Sequence, residues 1–161
     1  MRIGVVSDTH NNLGNVRRIV ELFNAAKVDR VIHTGDITQA KTLDLLAHLD
    51  APLYGVFGNN DVERDTLEPA IARHGFNFAE PPYTLTWHER TIVVVHDPRE
   101  LEPVPIEGVA LALHGHTHHY RHERHHGALV FNPGECAGHM VGLNAVGIVD
   151  LATLSTSLLR F

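Results

Sequence analysis

Residues 1–36, MRIGVVSDTHNNLGNVRRIVELFNAAKVDRVIHTGD, decide the fold class. Residues 2–6 form a short apolar run that reads as a strand. Val16, Ile19, Val20, Leu22 and Phe23 then recur at the spacing of one helix face, and residues 29–33 form a second strand. The alternation continues downstream. Leu43, Leu45, Leu46 and Leu49 mark a second helix, residues 52–57 a third strand and residues 62–74 a third helix. Strands alternating with helices imply a parallel sheet with crossover helices.

The second half changes character. Residues 83–87 and 91–95 flank a turn at His88, Glu89 and Arg90, as in a hairpin, and further strands are expected at 109–113, 120–124, 129–131, 145–150 and 155–159. The simplest packing is two sheets face to face with helices outside, sharing one core, in a single domain over residues 1–161. Residues 98–108, crowded with prolines and acids, are expected to be the least ordered part.

Composition narrows the function classes. A formal net charge of −6 gives no overall electrostatic drive toward nucleic acid or anionic membrane, so a macromolecular nucleic-acid partner is not expected. No segment approaches the ~20 apolar residues needed to span a bilayer, and the N-terminal apolar run is too short for a signal peptide. Cys136 is the single cysteine, which excludes an internal disulfide and makes a cytoplasmic location the default.

Chemistry gathers at the strand ends. IGVVSDTH ends in Asp8 and His10, RVIHTGD in Asp36, LYGVFGNND contains Asn59, TIVVVHD contains His96, and ALALHGHTH ends in His116 and His118. In an open α/β sheet, ligands bind beyond the carboxyl ends of strands, so these seven residues can surround one point. Carboxylate and amide oxygens mixed with imidazole suit first-row divalent metals. No cysteine is in the set, which excludes a zinc finger. Seven ligands are more than one ion needs, so two metals are expected with Asp36 bridging; it follows Gly35, which permits a tight turn.

Singly, each residue has a plainer reading. Asp8 could cap the first helix, Asn59 and Asp61 could form a turn, and His96 could merely end a strand. His33 reads as a buried, hydrogen-bonded histidine and Asn12 as the cap of the first helix. Asn132, Pro133 and Gly134 read as a turn, while Glu135 and Cys136 carry no assigned chemistry.

Together, DTH at 8–10, GD at 35–36, GNND at 58–61, His96 and GHTH at 115–118 resemble the calcineurin-like metallophosphoesterases in order and spacing. The short chain, GNND and NPGEC at 132–136 are similar to the small prokaryotic YfcE-type phosphodiesterases. The resemblance implies a four-layer α/β/β/α sandwich with two mixed sheets packed face to face. It also implies a dinuclear site. Asp8, His10 and His118 would hold one divalent metal, Asn59, His96 and His116 the other, and Asp36 both. Manganese leads the expected cofactors, with nickel, zinc, iron and magnesium as alternatives. Relatives often pair and the second-half strands offer an edge for pairing, so a homodimer is one open arrangement.

Two cations roughly 3.5–4 Å apart can share a hydroxide and aim it at phosphorus, so the expected activity is hydrolysis of a small phosphodiester. Asp61 is expected to orient its neighbours. Asn60 stands where the superfamily carries a phosphate-contacting histidine, and an amide cannot serve as a general acid. His119 is the proposed substitute donor. Asp97 follows His96 where relatives often have glycine, and its carboxylate disfavours highly anionic substrates. Both departures favour diesters over monoesters. The competing reading is a non-catalytic interaction scaffold, as in the small retromer subunit, whose metal site is degraded; here every expected ligand is present. A metal-storage role for the histidine run at 114–126 leaves Asp8, Asp36 and Asn59 unexplained.

Overall fold

A computed structural model describes residues 1–161. The elements are β1 (Arg2–Val6), α1 (Leu13–Ala26), β2 (Arg30–His33), α2 (Ala40–Leu46), β3 (Leu53–Val56), α3 (Arg64–His74), β4 (Asn77–Ala79), β5 (Tyr83–Trp87) and β6 (Arg90–Val94). They continue with β7 (Val109–Leu113), β8 (Arg121–His125), β9 (Ala128–Asn132), β10 (Ala145–Asp150) and β11 (Ser155–Arg160). Helix α1 forms where Val16, Ile19, Val20 and Phe23 bury one stripe, and its start is fixed as expected by Asn12, whose side chain accepts from the Asn15 N–H at 3.2 Å.

One sheet has the order β11-β10-β1-β2-β3-β4 and the other β5-β6-β7-β9-β8. In the first, β1 through β4 run parallel, and β10 lies antiparallel to both of its neighbours, β1 and β11. In the second, β6, β7 and β9 run parallel, with β5 and β8 antiparallel at the edges. Both sheets are therefore mixed. The short strand β4 escapes a sequence reading because three residues are too few to show a period.

Apolar side chains form layers rather than the single shared core the sequence suggested. One cluster joins Val16, Ile19 and Phe23 of α1, Leu43 and Leu46 of α2, and Leu67 of α3 to Val6, Val31 and Leu53 of the first sheet. A second lies between the sheets, where Ile3, Val5, Ile32 and Val56 meet Leu85, Ile92, Leu111, Leu129 and Phe131. The outer face of the second sheet carries no long helix. Leu101, Val104 and Ile106 cover Val93, Val95, Val109 and Ala128 there. The segment expected to be least ordered is thus packed, and it opens with a 3₁₀ turn at Pro98–Leu101 capped by Asp97.

The β5–β6 turn also differs by one residue. Trp87 pairs with Arg90, leaving a two-residue turn of His88 and Glu89, both at positive φ. This handedness matches the twist of the flanking strands. Helix α3 begins at Arg64 rather than at 62, because GNND continues through Glu63 as loop.

Candidate metal centre

The loops that follow β1, β2, β3, β6 and β7 meet at one end of the two sheets, and all seven strand-end residues lie on them. Five of the seven take left-handed backbone: Asp8 at φ 52°, His10 at 42°, Asp36 at 60°, His116 at 65° and His118 at 58°. Non-glycine residues seldom adopt this region, and such strain concentrates at functional sites. The loops also approach closely. A Cβ on Gly115 would overlap the Ser7 hydroxyl and stand 2.7 Å from Asp8 Oδ2, so the GHTH turn can lie against β1 only with glycine there.

The donor atoms converge in two overlapping groups. In the first, Asp8 Oδ1 lies 3.8 Å from His10 Nε2 and 3.4 Å from His118 Nε2. In the second, Asn59 Oδ1 lies 2.9 Å from His96 Nε2 and 3.0 Å from His116 Nδ1. Asp36 Oδ2 reaches both, at 3.2 Å from His10 Nε2 and 3.4 Å from His96 Nε2. Asp8 Oδ1 and His10 Nε2 are buried without hydrogen-bond partners. Buried polar atoms are rarely left so, and those that are point to an ion or water. Asp8, His10 and His118, and again Asp8, Asp36 and His96, bring their donor atoms close enough to share a cation.

Charge supports the same fit. Asp8, Asp36, Asp61 and Glu135 are buried, and the ion pairs of Asp8, Asp36 and Glu135 are to histidine rather than to lysine or arginine. Burial alone would push Asp8 and Asp36 up, but the neighbouring imidazoles outweigh it and hold both well below the usual carboxylate range. Asp36 and then Asp8 raise His10 to about 9. Burial opposes protonation of His96, yet Asp36 lifts its ring above the ordinary value. Buried ionised carboxylates flanked by imidazoles are a donor set that fits a cation.

Neighbouring residues fix the cluster. Asp61 accepts from the N–H groups of Asp36 at 2.9 Å, Gly58 at 2.7 Å and Thr38 at 2.6 Å, tying the loop after β2 to the loop after β3. Asn60 donates to Asp36 twice, from its backbone N–H at 2.9 Å and its side-chain amide at 2.8 Å. His33 is fully buried, accepting from Gly35 N–H at Nδ1 and facing the Thr9 hydroxyl through Nε2. Asn132 accepts from Gly134 N–H, forming the expected turn, and its amide reaches Gly115 O at 3.3 Å. His119 is exposed and lies on the rim of a cavity of about 60 Å³ shared with His118, Tyr120 and Arg160. A larger cavity of about 390 Å³ lies between residues 98–106 and the β8–β9 hairpin, away from all seven donors.

Two residues beside the cluster, Glu135 of NPGEC and His139, were assigned no role from the sequence. Glu135 is fully buried with Oε2 at 3.9 Å from His118 Nδ1. His139 stacks on His118 with centroids 5.4 Å apart and lies 5.3 Å from the ring of His10. Neither follows a strand of the cluster, so a search of strand ends does not find them.

The chain has counterparts among known proteins. Phosphodiesterase MJ0936 of Methanocaldococcus jannaschii is 32% identical over 154 residues, covering 93% of each chain. A solved structure described as a novel archaeal phosphodiesterase is 28% identical, covers 100% of both chains and superposes with a TM-score of 0.90. At the level of the fold alone, Yfce, a phosphoesterase from E. coli, matches with 20% identity over 99% of this chain and 98% of its own, TM-score 0.72. Vps29 from Entamoeba histolytica matches with 17% identity over 100% and 99%, TM-score 0.70. The model of the calcineurin-like phosphoesterase superfamily domain matches residues 1–154. The chain belongs to the calcineurin-like phosphoesterase superfamily.

Proposed function

We propose that the chain hydrolyses small phosphodiesters at a dinuclear metal centre. Asp8, His10, Asp36 and His118 hold one divalent cation, and Asp36, Asn59, His96 and His116 hold the other. The observation that carries this reading is Asp36 Oδ2, within 3.2 and 3.4 Å of one imidazole from each group, beside two buried donor atoms with no other partner. Bound cations at this position would polarise the phosphate and lower the pKa of an attacking water toward ~7. Manganese, nickel, zinc, iron and magnesium all accept this mixture of oxygen and nitrogen donors.

The surrounding residues position the donors. Asn60 pins both oxygens of Asp36, so its amide supports the shared carboxylate rather than acting on a leaving group. Thr34 O accepts from His96 Nδ1 at 2.8 Å, which leaves Nε2 facing the cluster. Asp97, held down at about 2 chiefly by the Arg99 guanidinium, keeps a negative charge 3.7 Å from His116 Nε2. That charge repels a dianionic monoester more than a monoanionic diester. His119, on the rim beside His118, is the proton donor in this reading, tested by loss of the acidic limb's counterpart in the pH–rate profile of His119→Ala.

The decisive experiment strips the protein of metal, reloads it with each of the five cations and follows bis(p-nitrophenyl) phosphate and p-nitrophenyl phosphate. Turnover of the diester above the monoester is expected. Absence of turnover with every cation would leave the interaction-scaffold reading, which the likeness to Vps29 supports only as a fold.

A further inference from the structure

We propose that Glu135 and Asp97 are positioning residues, one for each metal, each acting through the far nitrogen of a ligand histidine. This rests on the dinuclear reading above. An imidazole that offers one nitrogen to a cation carries its proton on the other, and an acceptor behind that N–H fixes both tautomer and ring orientation. His96 shows the arrangement within this chain: Nε2 faces Asp36 and Asn59, and Nδ1 faces Thr34 O at 2.8 Å.

Two of the other three rings show a looser version of this arrangement, with a carboxylate facing the far nitrogen at ion-pair distance rather than within a hydrogen bond. His118 points Nε2 toward Asp8 Oδ1 at 3.4 Å, and the carboxylate facing its Nδ1 is Glu135, at 3.9 Å. His116 points Nδ1 toward Asn59 Oδ1 at 3.0 Å, and the carboxylate facing its Nε2 is Asp97, at 3.7 Å. Glu135 is fully buried, and His118 is its ion-pair partner. A buried carboxylate without such a partner would be costly.

The two carboxylates are themselves held in place. Glu135 Oε2 accepts from Ala137 N–H at 2.7 Å and Oε1 from Met140 N–H at 2.8 Å, which folds the loop carrying His139 over His118. Asp97 accepts from Arg99 N–H at 2.9 Å and from its guanidinium at 2.5 Å, as part of the cap of the 3₁₀ turn. Each acceptor is thus anchored by its own loop, one on NPGEC and one on HDP.

The test is titration of metal-stripped wild type, Glu135→Gln and Asp97→Asn with Mn2+ by calorimetry, with the melting temperature of each metal-free protein measured in parallel. Wild type is expected to bind two equivalents. Glu135→Gln should weaken one by about 10–100-fold and leave the other unchanged, and Asp97→Asn should weaken the opposite one, the range typical for acceptors behind a metal-bound histidine. The double variant should weaken both. Equal weakening of both metals in each single variant would mean loop collapse and would overturn the proposal, as would wild-type affinity in both variants. A third equivalent lost in Glu135→Gln would make Glu135 a ligand, which also overturns it. Should Glu135→Gln fail to fold, Asp97→Asn, at a partly buried position, decides alone. A wild type that binds no metal at all would instead remove the dinuclear reading on which the inference rests.

Discussion

Asp36 is the residue that touches both groups of the cluster, and in the proposed centre it would serve both metals. Its Oδ2 faces His10 and His96, whereas His122 stands exposed on edge strand β8. Asp36→Ala is expected to lose both equivalents of metal and His122→Ala neither, as read by metal analysis after dialysis; equal loss in the two would contradict the assignment. The histidine run resolves in the same way. His116 and His118 join the cluster, His119 stands on its rim, His114 is buried, and His122, His125 and His126 are exposed. His33 sets a pH dependence of its own. Burial lowers its pKa from 6.5 to about 4, and Gly35 N–H occupies Nδ1, so the folded ring is neutral. Between those values the unfolded chain binds the extra proton, so stability falls as pH drops below 6.5. From pH 7 to pH 5 the loss attributable to His33 is ~2 kcal/mol. Urea unfolding of His33→Gln should show that much less acid sensitivity than wild type; an identical slope would refute it.

At the scale of elements, the centre is a junction of loops, and Asp61 is the clamp between two of them. Its carboxylate takes three backbone N–H groups, and burial raises its pKa against their effect. Asp61→Asn places an amide N–H against a backbone N–H and should cost about 1–3 kcal/mol in the metal-free protein. It should also weaken metal binding, because Asp36 N–H loses its acceptor. Urea unfolding together with Mn2+ titration checks both, and unchanged metal affinity would show that the loop after β2 holds its shape unaided. The ends of the elements were legible in part. β1, β2, β3 and β7 were found within a residue or so from their apolar runs. The 3₁₀ turn at Pro98–Leu101 was not, since its order comes from Asp97 and from Leu101 packing on another strand.

Across the whole molecule, the cluster joins the two sheets, because Asp8, Asp36 and Asn59 follow strands of one and His96, His116 and His118 strands of the other. Cations held there would bind the folded chain and not the unfolded one. At 100 times Kd each contributes about 2.7 kcal/mol, so chelation of the loaded protein should lower Tm by roughly 5–10 °C per cation. A Tm indifferent to chelator would contradict binding at the junction. No helix is long and apolar enough to cross a membrane, and α1, α2 and α3 all spend their apolar residues on the first sheet.

The alternation of strands and helices, and the seven polar strand-end residues that converge at one end of the sheets, are legible in the order of residues alone. Helical spacing and strand-end polarity are local, and donors such as Asp8 and His118 announce themselves by residue type. The parallel order of β6, β7 and β9, the layered division of the core and the thin outer cover of the second sheet emerge from packing between distant segments. The fold alone showed which nitrogen of each histidine faces the cluster and that Glu135 stands behind His118. The reason is physical: ring orientation and strand order are set by packing between segments as far apart as Asp8 and Glu135, and no local pattern records which partner a side chain will meet.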